Sequence, residues 1–241
     1  MPENLAAKTV TVIGATQGTG YEAVRILLAE GANVKIFARD PEKARERLGG
    51  SVEVVSGDLR DPAGMPEALA GADHLIFTAG VTKRPCKEEL IVSTEFEGMK
   101  KTLSAAKETG FGGRIVFLSS MGVTHSNWAS RLLNKVKGNA LVWRKAIEDL
   151  IRDSGFDYTI VRAGYLMNSS SENDIELSQK EHPLEFRYRI GRKETARVMV
   201  ESLRQQAASK KTFDAFRSRT NSGSDWLQKF ERLSADLQID L

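Results

Sequence analysis

Three glycines, Gly14, Gly18 and Gly20, follow directly on the apolar, β-branched run Val10-Thr11-Val12-Ile13 and precede a stretch with helical apolar spacing, residues 21–30. The chemistry open to such a turn is anion binding. Backbone N–H groups point outward at a helix N-terminus, the helix dipole favours negative charge, and missing Cβ atoms let a pyrophosphate approach the chain. The spacing is G-x-x-x-G-x-G rather than G-x-G-x-x-G, and Thr16, Gln17 and Thr19 fill the positions between, so they count as ligand candidates with the glycines. Roughly 20 residues past such a turn, at the end of the second strand, a dinucleotide fold reads the adenosine ribose. A carboxylate there accepts from the 2′-hydroxyl of NAD, whereas a guanidinium binds the 2′-phosphate of NADP. Arg39 ends the strand 33–38, with Lys35 and Lys43 nearby, which favours NADP(H). Asp40, the next residue, is the alternative ribose ligand should Arg39 turn away.

The elements that must position these groups alternate along the chain. Residues 41–48 read as a helix stopped by Gly49-Gly50, 52–56 as a third strand, 66–69 as a short helix and 74–78 as a fourth strand. A long helix covers 88–109, followed by a strand at 114–119, a helix at 141–153 and a strand at 158–162. Beyond Gly164 the pattern loosens: 165–183 is polar, with the run Ser169-Ser170-Ser171, and reads as a substrate loop. A helix at 194–206, an edge strand at 212–216 and a terminal helix at 225–237 complete the chain. This βαβ alternation predicts an α/β fold with a doubly wound parallel sheet and right-handed crossovers. It predicts one domain over 1–241, with 165–193 as a substrate-side loop and 217–241 as a small C-terminal extension.

Composition excludes several classes. With 41% hydrophobic and 28% charged residues, 241 residues suffice for a dry core. A net charge of +3 suits an anionic cofactor but is no nucleic-acid footprint, and no basic stripe interleaves with aromatics. The lone Cys86 excludes an internal disulfide, and no His–Asn arrangement marks it as a nucleophile. Residues 1–8 carry no apolar signal region and nothing approaches about 18 consecutive apolar residues, so no membrane partner is expected. The expected setting is cytoplasmic, as a monomer or homodimer with a small-molecule substrate.

Taken together, these segments resemble the atypical branch of the short-chain dehydrogenase/reductase superfamily, the flavin/biliverdin-reductase-like and nitrogen-metabolite-regulator-like proteins. The similarity runs over about residues 8–216 and includes Gly57-Asp58-Leu59-Arg60-Asp61, Thr78-Ala79-Gly80, Phe117-Leu118-Ser119-Ser120, Lys145-Ala146-Ile147-Glu148, the run from Asp157 to Gly164, and Ile190-Gly191-Arg192-Lys193-Glu194-Thr195-Ala196. The resemblance implies that Asp58 bonds the adenine amino group and the Leu59 backbone an adenine ring nitrogen. It also implies that Ala79 and Gly80 lie along the ribose and pyrophosphate, Ser120 sits beside the nicotinamide, and Lys145 bonds the nicotinamide ribose. Arg162, Ala163 and Gly164 would line the nicotinamide end.

One departure weighs against this pattern. Reductases of the superfamily carry Tyr-x-x-x-Lys, whose tyrosine donates a proton to a carbonyl. Counting back from Lys145 gives Leu141, which cannot move a proton. The remaining proton-donor candidates are Ser120, His125 after the fifth strand and Tyr165 after the sixth. His74 and His182 have no partner at metal-ligand spacing, and no metal site is expected. The expected activity is NADP(H)-dependent hydride transfer to a conjugated acceptor such as a flavin or quinone, which can take its proton from water. The alternatives are an NADP-binding redox-sensing regulator without turnover, as in the regulator-like branch, and a non-redox biosynthetic enzyme on the same fold.

Overall fold

The computed structural model describes residues 2–61, 63–169, 174–218 and 225–237. Eight strands form its main sheet in the order β3 (Val52–Ser56), β2 (Asn33–Ala38), β1 (Thr9–Ile13), β4 (His74–Phe77), β5 (Arg114–Ser120), β6 (Asp157–Ala163), β10 (Lys211–Arg217) and β8 (Ile175–Ser178). All neighbours run parallel except β8, which is antiparallel to β10. The first six strands follow the doubly wound order 3-2-1-4-5-6, which reverses direction between β1 and β4 and leaves a crevice there.

Strand alternation divides the core between two faces. Val10, Val12, Val34, Ile36, Val116 and Val161 pack against α1 (Gly18–Ala29), α2 (Pro41–Leu48) and α8 (Arg192–Arg204). On the other face Ile13, Phe37, Leu75, Phe77, Ile115, Phe117 and Ile160 pack against α3 (Met65–Leu69), α5 (Glu97–Glu108) and α7 (Ala140–Arg152). Thr11, buried on that second face, donates its hydroxyl to the Ala68 carbonyl at 2.6 Å, which satisfies its own polar group.

Four expectations need correction. The helix expected over 88–109 is broken: α4 (Glu88–Ile91) runs into a π turn (Val92–Phe96) before α5 begins. The extra residue per turn rotates Glu95 inward, where it is 1% exposed. A helix absent from the sequence reading, α6 (Trp128–Val136), is fixed by a reciprocal cap between Asn127 and Ser130. Its apolar residues Trp128, Leu132 and Val136 face solvent, so it carries no signal of core burial. The strand expected at the sheet edge is interior, because Ile175 and Leu177 alternate toward the α8 face and let β8 add outside β10. The terminal helix is short, with α9 (Trp226–Glu231) capped by Asp225. Past it the chain runs back to β10, where Asp236 accepts from Thr212 N at 3.0 Å and from the Tyr158 hydroxyl at 3.0 Å. A small parallel ribbon, β7 (Tyr165–Met167) with β9 (Arg189–Gly191), crosses outside the main sheet.

The turn between β1 and α1 is held by backbone contact. A methyl group built on Gly20 would lie 2.3 Å from the Gly14 carbonyl oxygen and 2.4 Å from Thr78 Oγ1. Gly20→Ala is therefore expected to destabilise the fold by about 1–3 kcal/mol or more through overpacking, read as a lowered urea midpoint with an unchanged slope.

Candidate nucleotide-binding site

The crevice at the reversal of strand order opens onto the glycine turn, and its three glycines serve different ends. Gly14 has φ +89°, and a Cβ there would meet the Ala79 amide nitrogen at 2.5 Å. Gly14 and Gly20 are thus required by packing. Gly18, φ +62°, faces open space except for the Arg192 side chain, 3.5 Å from the place a Cβ would take. Beside it Thr19 Oγ1 is buried without a hydrogen-bond partner among the described residues. An open, left-handed glycine at the start of a twelve-residue helix, with an unpaired hydroxyl beside it, fits a phosphate of a dinucleotide. Gln17 is the N-cap residue but makes no side-chain cap, and the Thr16 carbonyl accepts from Arg47 Nη1 at 2.9 Å, which ties α2 to the turn.

At the end of β2, Asp40 accepts from Lys43 N at 3.0 Å and caps α2. Its carboxylate is engaged there, while Arg39 stays exposed beside it. Lys35 is not part of this corner, because its ammonium binds Glu53 at 3.2 Å and the Ala70 carbonyl at 3.1 Å. Asp58 lies close enough to Arg39 to feel its charge, but its main partner is Arg60, which grips both carboxylate oxygens (Nε to Oδ1 3.1 Å, Nη2 to Oδ2 2.7 Å). That hydrogen bonding, with the nearby charges of Arg60 and Arg39, overcomes partial burial and lowers the Asp58 carboxyl to about 2. Its stabilising contribution is therefore full above the unfolded value, roughly 3.9, and is lost only as pH falls through about 2. Leu59 packs its side chain against Gly98.

The ends of β4 and β5 are joined from below. Ala79 lies against Gly14, and Gly80 sits over an ion pair in which Arg144 Nη2 meets Glu95 Oε2 at 3.2 Å. Glu95 also accepts from Val81 N at 2.8 Å, and Arg144 donates to the Leu118 carbonyl at 2.7 Å. The π turn and α7 thus deliver a charged pair to the floor of the crevice. Arg144, not its neighbour Lys145, makes that contact. The Lys145 ammonium is held by Asp149, one helical turn on, at 2.5 Å. Ser120 donates to the Met121 carbonyl at 3.0 Å. Leu141 is 3% exposed, His125 is exposed in the loop before α6, and Tyr165 is half-exposed with its ring 5.5 Å from that of Phe186.

Arg162 does not turn toward the carboxyl edge. It points to the α7 face, where Glu148, fully buried, accepts from its Nε at 3.0 Å and Nη2 at 2.7 Å. Glu148 also receives Ser119 Oγ at 2.6 Å and Arg152 Nη2 at 3.1 Å. Gly164 donates to the Ala215 carbonyl at 3.0 Å, and a Cβ on it would overlap the Tyr188 carbonyl. Among the described residues, no group of three or more His, Cys, Asp or Glu gathers as metal ligands, and no helix is long and apolar enough to cross a membrane.

Sequence reasoning missed Arg192, Arg144, Glu95 and Glu148. Arg192 lies in the quoted 190–196 segment, yet its approach to Gly18 depends on packing of α8 against α1, about 170 residues apart in the chain. Glu95 was hidden because the π turn breaks the helical period that would have placed it.

A doubly wound sheet with an open glycine turn at its reversal point is the architecture of dinucleotide-binding folds. The chain belongs to the NAD(P)H-binding family, which it matches over residues 14–206. It is 31% identical over 228 residues to an uncharacterized chloroplastic protein of Arabidopsis thaliana, covering 86% of this chain and 68% of that one. It is 28% identical over 253 residues to sanguinarine reductase of Eschscholzia californica, covering 89% and 90% of the two chains. Among solved structures, a Bacillus halodurans protein described as an NAD-dependent epimerase/dehydratase superposes with a TM-score of 0.75 at 26% identity, covering 89% of this chain and 96% of that one.

Glu148 is the carboxylate on which this site's underside rests. Glu148→Ala leaves the Arg162 guanidinium buried and unpaired, and is expected to cost about 3–5 kcal/mol, measured by urea unfolding.

Proposed function

We propose that this protein is an NADP(H)-dependent reductase that passes hydride to a conjugated acceptor such as a quinone or flavin, without the tyrosine acid of its superfamily. The observation that carries the cofactor half is the corner at β2, where Asp40 is engaged as a helix cap and Arg39 stands exposed for a 2′-phosphate. When bound, the nicotinamide supplies the hydride. Gly18, Thr19 and the rest of the 14–20 turn would take the phosphates, with Arg192 as a second cation over them. Asp58 and Leu59 would take the adenine, and Ala79 and Gly80 the ribose and pyrophosphate. Ser120, Lys145 and Gly164 would border the nicotinamide.

The acceptor half rests on one feature: exposed aromatic surface lies beside the segments that cover the carboxyl edge. Tyr165 and Phe186 stack edge to face, and Trp128 begins α6, whose cap residue Asn127 holds the Leu184 carbonyl at 3.2 Å. Such rings suit a flat conjugated molecule. The sanguinarine reductase likeness supports the reaction class. Residues 165–193 and 217–241 would then be the substrate-side loop and extension of one domain. A cytoplasmic monomer or homodimer is part of the same proposal, although the Arabidopsis relative is chloroplastic.

Fluorescence titration tests the cofactor reading. NADPH is expected to bind about tenfold to a hundredfold more tightly than NADH, since a charge-assisted contact contributes roughly 1.5–3 kcal/mol. Arg39→Ala should remove that preference, whereas Arg192→Gln should weaken both cofactors by a similar factor, because both carry a pyrophosphate. Equal affinities in the native protein overturn the assignment.

NADPH oxidation with a panel of quinones, flavins and simple ketones tests the reaction. Turnover of the conjugated acceptors is expected. Tight NADPH binding with no turnover of any acceptor favours the redox-sensing regulator instead.

A further inference from the structure

His182 lies in the segment between β8 and β9, and its surroundings are those of a positioned acid–base group. Asp214, 3% exposed in the interior strand β10, uses one oxygen, Oδ2, to accept from the His182 backbone N–H at 2.9 Å and to meet the ring Nδ1 at 3.0 Å. A loop cap needs only the first of these contacts. The second fixes the ring: with Nδ1–H directed at the carboxylate, Nε2 becomes the nitrogen that takes and gives a proton. Two aromatic walls hold the imidazole, Tyr188 at 4.7 Å and Phe216 at 5.0 Å between ring centroids, and these pack on each other at 5.0 Å.

The position of this dyad gives it a use. Asp214 and Phe216 flank Ala215, whose carbonyl accepts from Gly164 N at 3.0 Å. The Tyr188 carbonyl fills the space over Gly164, and Leu184 packs on Gly122, just past the end of β5. His182 is thus seated beside the carboxyl ends of β5 and β6, where open α/β sheets bind ligands. The charged groups around it are few. Arg162 acts on Asp214 from β6 and is itself neutralised by Glu148, Lys180 and Glu181 precede it in the chain, and Arg187 lies over the outer ring of Tyr188 at 4.9 Å.

We propose that His182, oriented by Asp214, is the proton donor that Leu141 cannot be. The inference rests on the reductase reading above. In the step, the acceptor gains a hydride from NADPH, which leaves as NADP⁺, and a proton from His182 Nε2–H to the heteroatom that takes up negative charge. The acceptor is reduced by two electrons, the imidazolium that gave the proton becomes the neutral ring with its remaining proton on Nδ1, and a proton taken up from solvent returns to Nε2. Asp214 remains a carboxylate and is a positioning residue.

His182→Gln keeps the backbone N–H to Asp214 and removes the proton. With the full chain, NADPH and a quinone as the acceptor, kcat is expected to fall about 10²–10⁴-fold, while NADPH affinity and the thermal midpoint stay near native values. His182→Ala opens a space between Tyr188 and Phe216, and added imidazole should restore turnover to that variant without accelerating the native protein. In the native ring, nitrogen-15 NMR should find the proton of the neutral form on Nδ1. Native turnover with an undiminished His182→Gln variant overturns the dyad and leaves the reductase reading intact. NADPH binding without native turnover of any acceptor overturns both.

Discussion

A carboxylate with no exposure to water sits where two strands, a helix and the C-terminal return meet. Glu148 receives a hydroxyl from β5, a guanidinium from β6 and a second guanidinium from its own helix, and that second one, Arg152, reaches on to Thr212 and Asp236. Desolvating one carboxylate and two guanidiniums is costly, and only a closed set of hydrogen bonds makes such a cluster tolerable. The consequence is geometric. The spacing of β5, β6 and β10, and therefore the shape of the carboxyl edge above them, is set by charged groups rather than by apolar packing alone. An apolar core tolerates rearrangement of its side chains, whereas a cluster of directed bonds admits one arrangement.

A second buried pair works one turn earlier along the same side of α7. Arg144 and Glu95 meet beneath Gly80, and each also binds backbone at a strand end, Leu118 or Val81. Helix α7 thus presents a guanidinium to each of two junctions in the sheet. The π turn is the local irregularity that makes the first junction possible, since it brings Glu95 inward. Irregular turns of this kind concentrate at functional sites, and this one lies under the loop that follows β4.

How much of this was legible in the sequence follows from the range of the interactions. The strand, glycine turn and helix at residues 10–30 announced themselves because each local preference agrees with the others: β-branched residues, positive-φ glycines and helical apolar spacing. Arg39 and Asp40 could be singled out by their distance from the turn, but that Asp40 caps α2 is seen only in the fold. By contrast, β8 is four residues long inside a polar stretch, and its two apolar residues, Ile175 and Leu177, are too few to establish a period. Helix α6 carries Trp128, Leu132 and Val136 at helical spacing yet turns them to water, so its period does not mark a core-facing element. Lys145 was placed beside the cofactor by the family resemblance alone, and its pairing with Asp149 one turn on is a matter of local helix geometry that the resemblance does not give. Arg162 shows the same limit from the other direction: a strand's alternation tells which side chains share a face, but the partner that claims each one comes from elsewhere in the chain.

The glycine turn has a consequence for how this chain can vary over time. Gly14 and Gly20 are bounded by backbone atoms of the protein itself, so any side chain there is opposed by the fold before a ligand is considered. Gly18 is bounded only by a flexible arginine and by its own left-handed conformation, which asparagine or aspartate also adopt at modest cost. Two selective pressures therefore act within one turn, residues 14–20. Drift at positions 14 and 20 is forbidden by folding, and drift at 18 is policed by whatever approaches the helix N-terminus. A lineage that relinquished its ligand would keep the outer glycines and lose the middle one, so position 18 is a marker of retained binding that the other two cannot provide.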